Sequence, residues 1–337
     1  MKFACLLVLA AAAVASPVGS VDDYVKLLEK RQSFVSDTDY KKLKFYVQHT
    51  SAAYCNIGKA AGDPVTCRGT CNSVERNQVS IVSTFVGPLT AVGGYIAIDH
   101  ARHEITLAIR GSNNIRNFIT DILFIWQNCD LTPKCKVHTG FATAWREISK
   151  SVTQGIQDAL EENPSYKIII TGHSLGGAVA TIATAYLRRS GIVADVYTFG
   201  TPRVGNSHFA DFMTTSHGGQ WRVTHRDDPV PRLPPIFTGY RHMSPEYWLS
   251  NGNSDQVDYK LQNIKRCDGT ANVACNAGTF GFNIVAHLNY LGRTSGCAPL
   301  PLQWKRDEEQ QISNKQLENR LNEWSRRDQE FVKNGQE

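Results

Sequence analysis

Beyond its first fifteen positions the 337-residue chain has no apolar run long enough to cross a bilayer, so no transmembrane helix is expected. It has no two-residue Cys-x-x-Cys knuckle, which argues against a structural zinc site. No internal repeat or low-complexity block divides it, which excludes solenoids and arrays. Formal net charge is only +5, and basic residues are not clustered with interleaved aromatics, so nucleic acid is not an expected partner.

The two ends differ from the middle. Met1-Lys2, an apolar run over residues 4–15 and the triplet Ala13-Val14-Ala15 read as a secretory signal peptide, residues 1–15, which makes the chain extracellular. Residues 16–31 end in Lys30-Arg31 and read either as a pro-segment cut after Arg31 or as a solvated charged helix end. A second dibasic pair, Lys305-Arg306, follows the break at Pro299 and Pro301. Residues 306–337 are highly charged, with Leu317, Leu321, Trp324 and Phe331 at helical spacing. This amphipathic tail is either a removable cover for an apolar surface or a solvated extension. If it is a cover, its apolar stripe docks on the region described below as a lid and keeps the precursor quiet. Between the dibasic pairs, residues 32–305 are enough for one large α/β domain.

Of nine cysteines, Cys5 leaves with the signal peptide. The even number that remains argues for disulfides in a secreted chain. Short loops suggest Cys67 with Cys71, Cys129 with Cys135 and Cys267 with Cys275, leaving Cys55 and Cys297 to tie the ends of the domain together.

Apolar periodicity alternates between helix and strand. Helical spacing covers residues 37–54, with Ser36 or Asp37 as a cap, and 142–163, where Trp145, Ile148, Val152, Ile156 and Leu160 form one stripe. Residues 93–99 and 104–110 read as a hairpin. Strands are expected at 167–171, 193–199 and 221–225, with a helix at 176–189. That order implies an α/β fold whose central mixed sheet is largely parallel and flanked by helices.

The stretch that carries chemistry is 167–180. Three β-branched residues, Ile168, Ile169 and Ile170, lead into Gly172-His173-Ser174-Leu175-Gly176 and then a helix start. A serine at the tip of a strand–turn–helix is the nucleophile elbow of serine hydrolases, and its hydroxyl needs an imidazole base oriented by a carboxylate. Asp227 and Asp228 both follow the strand 221–225; Pro229 rigidifies the position of Asp228, which is preferred. Among later histidines, His242 and His287 remain candidates for the base, since His225 lies only three residues from Asp228. For the oxyanion, the backbone N–H of Leu175 is one donor and that of Ser112, after the strand ending at Arg110, is the second. Ile115, Phe118, Ile119 and Ile122 then fall at i, i+3, i+4 and i+7, a short amphipathic helix over 113–124. It is either core-packed or a lid whose apolar face turns toward a lipid surface.

Five motifs carry a resemblance. RGSNNIRNFITD (110–121), TGHSLGGA (171–178), FGTPRVGN (199–206), RDDPVPRLPP (226–235) and AHLNYLG (286–292) are similar to the secreted triacylglycerol lipases of filamentous fungi, the class 3 lipase family, nearest the Fusarium type. The similarity runs from about residue 40 to 297, and the charged tail resembles that of a Fusarium lipase precursor. The resemblance implies an α/β-hydrolase fold with a short helical lid. It implies Ser174 as nucleophile, Asp228 as acid and His287 as base, an oxyanion hole of Ser112 and Leu175, and a lid around Asn114, Ile115, Phe118 and Ile119. It also implies a Cys55–Cys297 bridge and no metal or organic cofactor. Asn113 and Asn114 at the lid start, Thr201 and Asn289 depart mildly from the family pattern and remove no catalytic group. The expected partner is a lipid ester at an oil–water or membrane surface, met by a monomer. The rivals are phospholipase A1, feruloyl esterase (which the apolar stripe over 115–122 disfavours) and a catalytically inactive lipid-surface binding protein.

Overall fold

The computed structural model describes residues 35–294, 296–297 and 312–335. The expected signal peptide (1–15), pro-segment (16–31) and dibasic pair at 305–306 lie outside them.

In chain order the elements are α1 (Asp37–Ala52), α2 (Asn72–Arg76), β1 (Ser80–Val86), β2 (Gly93–Asp99), β3 (Glu104–Ile109), α3 (Ile115–Asp121), β4 (Trp126–Asn128), β5 (Lys136–His138) and α4 (Thr139–Glu162). There follow β6 (Lys167–His173), α5 (Leu175–Arg189), β7 (Ala194–Phe199), α6 (Ser207–Thr215), β8 (Gln220–His225), β9 (Glu246–Leu249), β10 (Ile264–Cys267), α7 (Ile284–Leu288) and α8 (Asn314–Lys333). Eight strands form one sheet in the order β1-β2-β3-β6-β7-β8-β9-β10. The five from β3 to β9 run parallel, and β1, β2 and β10 add antiparallel edges. This is the largely parallel mixed sheet of an α/β-hydrolase fold.

Both faces of the sheet are covered, so its inner strands read as continuous apolar runs rather than alternating ones. On one side Phe141, Trp145, Ile148, Val152 and Ile156 of α4 pack with α5 against Ile96, Leu107 and Ile170. On the other, Leu43, Tyr46 and Val47 of α1 meet Tyr95, Ile169 and Tyr197. The 93–99/104–110 hairpin forms as β2 and β3, in register from Gly94 with Ile109 to Asp99 with Glu104. The four disulfides pair as expected: Cys55 with Cys297, Cys67 with Cys71, Cys129 with Cys135 and Cys267 with Cys275. Among the described residues no helix is long and apolar enough to cross a membrane.

Two expectations are sharpened. The helix expected over 113–124 is only Ile115–Asp121, because the Asn114 side chain accepts the N–H of Asn117 and caps it, and Ile122 turns extended. In the tail, Leu317 and Leu321 of α8 are buried in a third apolar cluster with Ile115 and Ile119 of α3, Val230, Leu233 and Ile284.

Candidate active site

Three parallel strands deliver the site from their C-terminal ends, where ligands of open α/β sheets are met. β3 leads into Ser112, β6 into Ser174, and β8 into the loop carrying Asp227 and Asp228. Ser174 has φ +57°, strained for a residue with a side chain, and this turns its hydroxyl out of the strand–helix junction. Gly176 allows that junction: a Cβ there would lie 2.3 Å from the carbonyl oxygen of Ile109.

His287, on α7, donates from Nδ1 to Asp228 Oδ2 at 2.8 Å, and both side chains are fully buried. The other carboxylate oxygen accepts the Val230 N–H at 2.8 Å, and the Tyr290 hydroxyl donates to Oδ2. Burial first, then the Asp228 charge, pushes the Tyr290 hydroxyl far above its usual range, so it stays a donor. With Nδ1 committed to Asp228, the lone pair of His287 is on Nε2. Ser174 Oγ and His287 Nε2 are both buried without a hydrogen-bond partner among the described residues. Gly200, at φ +62°, backs the pair; a Cβ there would meet Asp228 Oδ2 and His287 Nδ1 at 3.0 Å.

The structure separates the alternatives left open by the sequence. Asp227 faces away and accepts from the Asn283 side chain at 2.9 Å, holding the start of α7. His242 is spent on the carbonyl of Pro231.

Sequence reasoning missed the groups that hold the backbone around His287. His173 donates from Nε2 to the His287 carbonyl at 2.8 Å, while its Nδ1 takes the Tyr54 hydroxyl at 3.0 Å. Tyr54 Oη in turn accepts the Gly111 N–H at 3.0 Å. One chain of bonds thus links Gly111, His173 just before Ser174 and the backbone of His287. Burial, then the neighbouring His287, holds His173 well below its ordinary value, so it is neutral, as this pattern needs. His225 does the same one residue earlier: Nδ1 donates to the Ala286 carbonyl at 3.0 Å and Nε2 accepts from Tyr259 at 2.7 Å. The only sequence signal was position, one residue before Ser174 and at the end of β8.

Ser112 and Leu175 line one apolar cavity of about 490 Å³ with Asn114, Phe118, Ile122, Leu123 and Phe141. The Ser112 hydroxyl is tied to the lid start, accepting the Asn114 N–H at 3.1 Å and donating to its carbonyl at 3.2 Å. α3 packs inward beside this cavity. Ile119 is fully buried, and Phe118 stacks on Phe141 with centroids 6.3 Å apart.

α8 packs against α3 and bonds to the loops that carry Asp228 and lead to His287. Arg116 donates to the Ile312 carbonyl at 2.6 Å and Arg320 to that of Thr120 at 3.3 Å. Arg232, three residues past Pro229, bonds Ser325 at 3.1 Å, and Asn322 accepts the Gly281 N–H at 2.7 Å. Asp328 sits 3.5 Å from Arg203 and accepts the Phe237 N–H at 3.0 Å. Burial opposes both charges: it raises the Asp328 carboxyl against the pull of Arg203, and lowers Arg203 to about 10. Cys67, Cys71 and Glu75 are the one grouping of metal-type donors among the described residues, and both sulfurs are in a disulfide.

Comparison with known proteins agrees with this geometry. The family profile described as lipase (class 3) matches residues 106–238. The chain is 49% identical over 334 residues to a secreted mono- and diacylglycerol lipase 1 of Fusarium solani, covering 99% of each. It is similar in structure to a mono- and diacylglycerol lipase of Aspergillus oryzae, with TM-score 0.74 and 34% identity over 78% of this chain and all (100%) of the other. A triacylglycerol lipase described as having a serine protease triad at its catalytic centre matches with TM-score 0.69 and 28% identity, over 79% of this chain and 99% of the other.

Proposed function

The chain belongs to the class 3 lipases, secreted enzymes of the α/β-hydrolase fold, and from that premise we propose that it cleaves ester bonds of acylglycerols at a lipid–water surface through Ser174, His287 and Asp228. His287 Nε2 takes the Ser174 proton as Oγ adds to the ester carbonyl. Asp228, held by Val230 and Tyr290, keeps the imidazole in the Nδ1–H tautomer and stabilises the imidazolium. Backbone N–H groups of Ser112 and Leu175 hold the tetrahedral oxyanion; such donors are worth about 2.7–4 kcal/mol each. The imidazolium then protonates the leaving glycerol oxygen, and water releases the fatty acid by the same cycle. The buried His287–Asp228 pair beside an elbow serine carries this reading.

α3 acts as the lid. Its opening breaks both bonds between Ser112 and Asn114, so the hydroxyl becomes free to turn toward the oxyanion. α8 holds the lid shut until it is displaced, a role supported by its simultaneous bonds to the lid, to Arg232 and to Gly281. A single chain carries every group of the mechanism, which favours a monomer. The names of the relatives support mono- and diacylglycerols as substrates alongside triacylglycerols. Initial rates on long-chain tri- and diacylglycerol, phosphatidylcholine and methyl ferulate, measured side by side, test the assignment. The acylglycerols are expected to be fastest; a preference for phosphatidylcholine or ferulate contradicts it.

A further inference from the structure

Among the described residues, the most exposed large apolar side chain is Leu89, at 86%. It sits at the tip of the turn between β1 and β2, and the turn is built to hold it there. The Glu147 carboxylate, on α4, accepts from the Leu89 N–H at 3.4 Å, the Thr90 N–H at 3.1 Å and the Thr90 hydroxyl at 2.7 Å. The Gly87 N–H donates to Val92 at 2.7 Å and the Ala91 N–H to Gly87 at 3.1 Å. Arg110 donates to the Ala91 carbonyl at 2.7 Å and to the Asn113 side chain at 2.9 Å, which joins the turn to the residue before the lid.

Its surroundings show which surface it serves. Thr90 lines the apolar cavity that also holds Ser112 and Leu175. Leu123 and Ile125, 65% and 54% exposed, line the same cavity. Leu89 thus adjoins, through Thr90, the cavity that the exposed Leu123 and Ile125 line. An exposed leucine on a loose loop needs no explanation, since single exposed apolar residues are normal. A leucine fixed outward by a dedicated carboxylate, at the rim of an apolar cavity with two further exposed aliphatics, is an unpartnered apolar edge continuous with that cavity.

We propose that the Leu89 turn, with Leu123 and Ile125, is a docking edge that inserts into the surface of an acylglycerol phase before the lid moves. The proposal rests on the lipase reading and adds to it a contact made by neither the lid nor the triad. Insertion transfers the three side chains from water into lipid, and the rigid turn loses little conformational freedom in doing so. Arg110 then couples the docked turn to Asn113 and the oxyanion loop.

The test uses the full chain and droplets of a glycerol trialkyl ether, which has the shape of a triacylglycerol but no ester to cleave. Binding is read by flotation for wild type, Leu89→Ser, Leu123→Ser and Val193→Ser. Val193 is 59% exposed but precedes β7, at the opposite end of the sheet from the site. Leu89→Ser is expected to lower the partition constant by about ten- to hundred-fold. Leu123→Ser should fall similarly and Val193→Ser should match wild type, while kcat/KM of Leu89→Ser on a monomeric water-soluble short-chain ester stays unchanged. Leu89→Ser binding like wild type overturns the proposal, as does wild type failing to bind. An equal fall on the monomeric ester also overturns it, because Leu89 would then act on the site itself. A wild-type dimer that Leu89→Ser dissociates identifies the occupant as a second copy and overturns it as well. Failure of the lipase reading appears separately, as no ester hydrolysis despite droplet binding.

Discussion

Asp328→Ala should raise the basal activity of the full chain. The carboxylate is buried against Arg203, which is itself 1% exposed and whose guanidinium otherwise donates, among the described residues, to the carbonyls of Arg232 and Pro234. Removing one partner of a buried pair costs about 3–5 kcal/mol, since the other charge is left uncompensated. That cost falls on the docked state alone, because lifting α8 away lets water reach Arg203. Against it stands the burial of Leu317 and Leu321, about 1.5–3 kcal/mol each, less the entropy of ordering the helix. The docking equilibrium should therefore shift toward release by about 10²–10³-fold. Hydrolysis of a short-chain chromogenic ester without added lipid reads the effect, and hydrogen exchange at the α8 amides reads the release. Both are expected to rise together, toward the rate of a chain cut at Lys305-Arg306. The double variant Arg203→Met with Asp328→Leu, which replaces the pair by apolar groups, should restore docking and the low rate. Faster exchange in α8 with an unchanged ester rate would refute the idea that this helix holds the lid.

Asp228→Asn should lower kcat by about 10⁴-fold with the fold intact, because an amide can present its N–H to Nδ1 and stabilise the wrong tautomer of His287; pre-steady-state and steady-state rates check it. Tyr54→Phe leaves the Gly111 N–H and His173 Nδ1 without their shared partner, at about 1–3 kcal/mol of stability, and should reduce kcat more than it changes KM; chemical unfolding and initial rates separate the two effects. His138 caps α4 by accepting the Gly140 N–H at 3.1 Å, and burial lowers its pKa from 6.5 to about 4. Its folded value lies below its unfolded one, so its contribution of about 3 kcal/mol is complete above pH 6.5 and is lost as pH falls toward 4. His138→Asn, which can still cap, should flatten that part of the thermal-stability profile; an unaltered profile would show that other groups govern it.

What could be seen in the sequence depended on how local each requirement is. The elbow was legible because one strand, one sharp turn and one helix start are consecutive residues. The three short disulfide loops were legible for the same reason. Pro229 favoured Asp228 over Asp227 only by a small margin, since which one faces inward also depends on Asn283 arriving from another loop. His287 and His242 could not be separated by spacing, since only the fold brings Asp228 beside one of them. His173 and His225 act by bonding the carbonyls of residues 287 and 286, contacts that span 114 and 61 positions. β4, β5, β9 and β10 have three or four residues each, too few for a period to register. The apolar stripe of α8 was visible, but the pattern alone did not decide between docking on the 113–124 helix and facing solvent. An amphipathic pattern states that a face is buried without saying against what.

The central claim is that ester cleavage by this chain runs through Ser174. It is tested most directly by fatty-acid release from emulsified diacylglycerol, followed by pH-stat titration for wild type and Ser174→Ala, with circular dichroism showing that both are folded. Wild type should release acid steadily, and the variant should fall by about 10⁶-fold, to the background of the emulsion. A folded Ser174→Ala chain that still released fatty acid at a comparable rate would contradict the account.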